Sequence, residues 1–78
     1  MDKDLTTKFI EKEVEELERI KINLRAEIQE LITLKSNDWI DEMFFIQRLG
    51  EKAYGVREIT EAIKQKQEQM VSIINYSK

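Results

Sequence analysis

Glu11, Glu15 and Glu18 fall on one side of a single helical stretch, and clustered carboxylates could hold a metal ion. Lys8, Lys12, Arg19 and Lys21 are interleaved with them, and Glu15–Arg19 and Lys12–Glu16 stand at i, i+4 spacing. That pattern belongs to a solvated helix face laced with ion pairs, so no metal ligand is assigned. The rest of the chemical inventory is short. The chain has no His and no Cys, which removes imidazole acid–base catalysis, thiolate chemistry and Cys/His zinc sites. Ser36, Ser72 and Ser77 lie in no Gly-x-Ser-x-Gly setting, and Gly50 and Gly55 open no phosphate-cradling loop. No catalytic residue, cofactor-binding residue or cofactor is expected, and the chain reads as not an enzyme.

The residues suited to binding rather than reaction lie between Asn37 and Leu49, NDWIDEMFFIQRL. Projected on a helix, Trp39, Met43, Ile46 and Leu49 share one face, Ile40 and Phe44 lie beside it, and Phe45 points elsewhere. One partner helix covers an apolar stripe of somewhat over about 100°. This stretch is apolar over about twice that arc, so a second cover is required. Another copy of the chain, or a later helix folding back, is the first expectation. A different protein is the second, with Trp39, Met43, Phe44 and Phe45 as partner-binding anchors, since interface centres favour aromatic residues and Met. Phe45, set apart from both faces, is the first of these to test.

The elements that must position these residues are all helical. Pro is absent, Gly occurs twice, and no segment alternates like a strand. A first helix is expected over about 5–34, capped by Asp4 or Thr7, with a heptad of Ile10, Leu17, Leu24 and Leu31 at d and Val14, Lys21 and Ile28 at a. Ile20, Ile32 and Leu34 widen its apolar stripe. Lys35-Ser36-Asn37-Asp38 reads as a turn, with Asp38 capping a second helix over about 38–49 that Gly50 ends. A third helix is expected over about 56–75, its apolar face broken by the polar run Lys64–Gln69. At about 1.5 Å per residue the first helix is roughly 45 Å long, and the other two together match it. The expected fold class is therefore all-α, one domain over 1–78, a helical hairpin with a long first helix and a broken return arm. The less favoured form keeps the return arm helical through both glycines, at about 1 kcal/mol each.

Seventy-eight residues support a single core giving about 3–5 kcal/mol, and neither a disulfide nor a Cys/His zinc site is available to add to it. Self-association is the remaining means, so a homo-oligomer is expected, with a dimer favoured, as a four-helix-type bundle or antiparallel coiled coil. Its interface would be the heptad residues Ile10, Val14, Leu17, Leu24, Ile28 and Leu31. Lys21 favours antiparallel packing, because two copies would meet in a parallel seam.

The net charge of −3 has the wrong sign for a general phosphate binder. Met1-Asp2-Lys3-Asp4 is not the basic arm of a zipper protein. A helix-turn-helix over 45–66, turning at Gly50 or Gly55, would put Glu51, or Glu61 and Lys64, where apolar residues belong. Nucleic acid is thus not the expected partner. The longest apolar run, Met43–Ile46, is far below a membrane span of about 20 residues, and Asn75–Lys78 carries no lipidation signal, so a cytoplasmic protein without membrane contact is expected. The excess of Ile, Lys and Asn over Gly, Ala and Pro is the usage of AT-rich genomes, as in many bacteria, phages and mobile elements. These readings converge on a non-catalytic protein–protein interaction module, an adaptor, scaffold or small inhibitor acting as a helical oligomer. The alternative is a small dimeric DNA-binding transcriptional regulator.

Overall fold

The computed structural model describes residues 3–76. Met1, Asp2, Ser77 and Lys78, which enter the readings on a basic arm and a terminal signal, lie outside the described residues. Two long helices form an antiparallel hairpin, α1 over Lys3–Ser36 and α2 over Glu42–Tyr76. The Cα atoms span 57 × 14 × 13 Å, a rod two helices wide. The all-α hairpin expected from the sequence is present. Its return arm, however, is one helix and not two.

The two helices meet along a seam in heptad spacing. On α1 it holds Ile10, Val14, Leu17, Lys21, Leu24, Ile28 and Leu31, all buried or half-buried. On α2 it runs Phe45, Leu49, Lys52, Val56, Ile59, Ile63, Lys66, Met70 and Ile73, in alternating steps of four and three, again all buried or half-buried. Two ion pairs fix the register: Lys52 Nζ lies 2.5 Å from Glu27 Oε2, and Lys66 Nζ lies 2.6 Å from Glu13 Oε2. They stand two heptads apart on both arms, as an in-register antiparallel pairing requires. Leu24 and Gly55, each three residues inward from the first pair, face one another in the same register.

That seam explains why the return arm does not break. Gly50 and Gly55 each weaken a helix by about 1 kcal/mol, but Leu49, Lys52 and Val56 hold the segment on α1 throughout. Gly55 also has a packing reason to be glycine. A Cβ there would sit 3.2 Å from Leu24 Cδ1, closer than ordinary contact. The polar run Lys64–Gln69 is no gap either, because Lys66 occupies a seam position and its ammonium reaches Glu13. The six α1 residues expected between chains therefore lie against α2 of the same chain.

The turn also differs in its caps. α1 runs from Lys3, so Asp4 and Thr7 lie inside it. At its other end Asp38 takes a left-handed conformation, φ 57°. The Asp38 N–H donates to the Lys35 carbonyl at 3.0 Å and the Trp39 N–H to that of Leu34 at 2.9 Å, the Schellman closure of a helix C-terminus. α2 starts four residues later than expected. Its N-cap is Asp41, whose Oδ1 accepts from the Phe44 N–H at 2.7 Å. Trp39 and Ile40 thus sit in the turn. Asp41→Ala should lower the unfolding free energy by about 1 kcal/mol, and Asp38→Gly should raise it by up to about 1 kcal/mol by relieving the left-handed backbone. Urea titration followed by circular dichroism reads both, and equal effects of the two substitutions would contradict this cap assignment.

Candidate partner-binding surface

The turn end carries the two most exposed large apolar side chains among the described residues, Met43 and Trp39, and each is there for a local reason. Trp39 follows the left-handed residue and leaves the helix axis, so its indole is 71 % exposed. Met43 stands in the first turn of α2 on the side away from α1, and it is 79 % exposed. Ile46, one turn further, is 58 % exposed, and Ile32 on α1 is also exposed. Phe44 lies on the opposite flank. Arg48 sits over its ring, 5.1 Å from the guanidinium carbon to the centroid, and pairs with Glu51 at 3.5 Å. Phe44, Arg48, Leu34 and Glu27 line an open depression of about 310 Å³ there.

Of the four anchors expected from the sequence, Trp39, Met43 and Phe44 are on the surface. Phe45 is not. It occupies the first seam position of α2, half-buried toward α1, and belongs to the hairpin itself. Projecting 37–49 as one isolated helix set Phe45 apart from its neighbours. Following the heptad onward through Lys52 and Lys66 would have placed it in the seam with Leu49. Ile32 and Ile46, absent from the expected anchors, share the flank with Met43, and their signal was a second row of apolar residues displaced from the seam on both arms.

Among the described residues no group of three or more carboxylates is arranged to hold a metal ion, and Glu11, Glu15 and Glu18 are all exposed. No helix among them is long and apolar enough to cross a membrane. α2 also runs straight through Gly50 and Gly55, so the turn required for a helix-turn-helix over 45–66 is not formed. No family model, curated protein or solved structure matches the chain. Phe45→Asp should cost about 2–4 kcal/mol by placing a carboxylate in the seam. Thermal melting by circular dichroism would show it. Unchanged stability would mean that Phe45 faces outward.

Proposed function

We propose that this chain is a non-catalytic protein–protein interaction module, an adaptor, scaffold or small inhibitor that works as a helical oligomer. The observation that carries this reading is the exposed apolar group at the turn end, Trp39, Met43 and Ile46, displayed by a rod that has no means of covering it. Large exposed apolar patches mark interaction surfaces, and Trp and Met are the side chains that interface centres favour. The absence of His and Cys from the sequence supports the non-catalytic half of the reading. The competing reading, a small dimeric DNA-binding regulator, has less support, because α2 is continuous through both glycines where a helix-turn-helix would turn.

Affinity capture from the native host, with the wild type beside a Trp39→Ser, Met43→Ser double variant, tests the reading. Both residues lie outside the seam, so helicity should be unchanged. The wild type should retain a specific protein, and the variant should lose it. Equal capture by both, or a DNA fragment retained in place of a protein, would overturn the assignment.

A further inference from the structure

We infer that one broad side of the hairpin is the interface for a second copy of this chain, packed with both turns at the same end of a four-helix bundle. The inference deepens the proposed function and rests on its oligomeric half. The two sides of the rod differ. Glu13, Glu27, Leu34, Phe44 and Arg48 lie on one, as their shared ion pairs and depression show. The register puts Ile22 and Ile32 of α1, with Met43, Ile46, Gly50 and Ala53 of α2, on the other. All six are exposed.

Surface area argues that a cover is needed. The chain exposes 6298 Å². A compact monomer of 9.4 kDa would expose about 5,000 Å². The excess, about 1,300 Å², is more than the roughly 800 Å² that each partner gives up in a standard interface. Among the described residues only Ile10, Leu31 and Ile63 are buried apolar side chains, which is little core for a separate domain.

Gly50 points to the side that is covered. It lies inside a helix with no positive φ, and a Cβ built on it meets nothing within 4 Å. Neither backbone conformation nor packing within the chain calls for glycine there, unlike Gly55, yet it weakens the helix relative to alanine. Close approach of another backbone supplies the missing reason. Ala53, one turn on, leaves the same room, and Met43 and Ile46 flank it.

Both signs of charge on this side suit a second copy, and the matching of levels along the rod sets its direction. On this side α1 carries Glu11, Glu15 and Glu18 between Lys8 and Arg25, while α2 carries Arg57 and Lys64; in the register of the ion pairs Lys64 stands level with Glu15 and Arg57 with Ile22. A two-fold axis along the rod lays α1 of each copy over α2 of the other. Lys64 then meets Glu15 of the partner, and Ile32 meets Ile46. The acidic opposite side, with Glu13, Glu16, Glu27, Glu30, Glu51 and Glu58, offers no such self-complementarity.

The test uses the full chain. Sedimentation equilibrium at micromolar concentration should give a dimer for the wild type and a monomer for Gly50→Lys, whose helical signal is retained or increased. A wild-type monomer overturns the inference, and a Gly50→Lys dimer as tight as the wild type overturns the choice of face. Because the chain has no Cys, Ser36→Cys takes a single spin label at the turn. Two labels roughly two helix diameters apart, about 20 Å, are expected in the dimer. A separation near the 57 Å length of the rod overturns the orientation. A wild-type monomer that still captures a specific host protein would remove this interface and leave the interaction role standing, whereas a dimer capturing nothing would do the reverse.

Discussion

Two helices laid side by side can each hide one stripe of side chains, and the rest of this molecule follows from that limit. The seam takes one residue in every three or four on each arm, and every other apolar side chain must remain at the surface. Ile22, Ile32, Met43 and Ile46 are exposed because the hairpin has no third layer, not because the helices are badly packed. A chain with Cys or His could stiffen such a rod with a cross-link or a metal. This one lacks both, so its surplus apolar surface is the resource from which further stability or recognition must come.

The seam itself is built for register more than for strength. Lys52 and Lys66 stand at positions that aliphatic residues would fill more favourably, and each reaches a glutamate at the edge of α1. Both pairs are partly solvated, so each contributes no more than about 1 kcal/mol. Their value lies in what a slip would do. Sliding one arm by a heptad would move each ammonium away from its carboxylate and leave a lysine in the seam unpaired. The two glycines differ in the same sense: Gly55 serves the seam by admitting Leu24, whereas Gly50 lies on the outer side with open space where a Cβ would be.

The first arm was legible in the sequence because its heptad is almost entirely aliphatic, with Lys21 as the single exception. The second arm obeys the same spacing but conceals it. Lys52 and Lys66 look like surface residues until their glutamates on α1 are known, and two glycines within one turn and a half look like a break. Partners distant in the chain decide both cases, and a local reading of propensity has no access to them. The turn was legible, but its caps were misassigned for a different reason. Asp38 and Asp41 are both good caps, and the left-handed backbone at Asp38 gives the N-cap role to Asp41. That shift of three residues moved Trp39 into the turn, and Phe45, set apart only by treating its helix in isolation, belongs to the seam. Trp39, Met43 and Phe44 could be singled out from residue type alone, since side chains of that size in so polar a chain leave few places to go.

The central claim is that one hairpin is a half-covered object completed by a second. Small-angle X-ray scattering on the purified chain tests it most directly, since forward intensity gives mass and the distance distribution gives shape. A particle of twice 9.4 kDa, no longer than the single hairpin of 57 Å plus its side chains but doubled in cross-section, is the predicted result. A particle of 9.4 kDa with the thin profile of two helices, unchanged across the micromolar range, would contradict it.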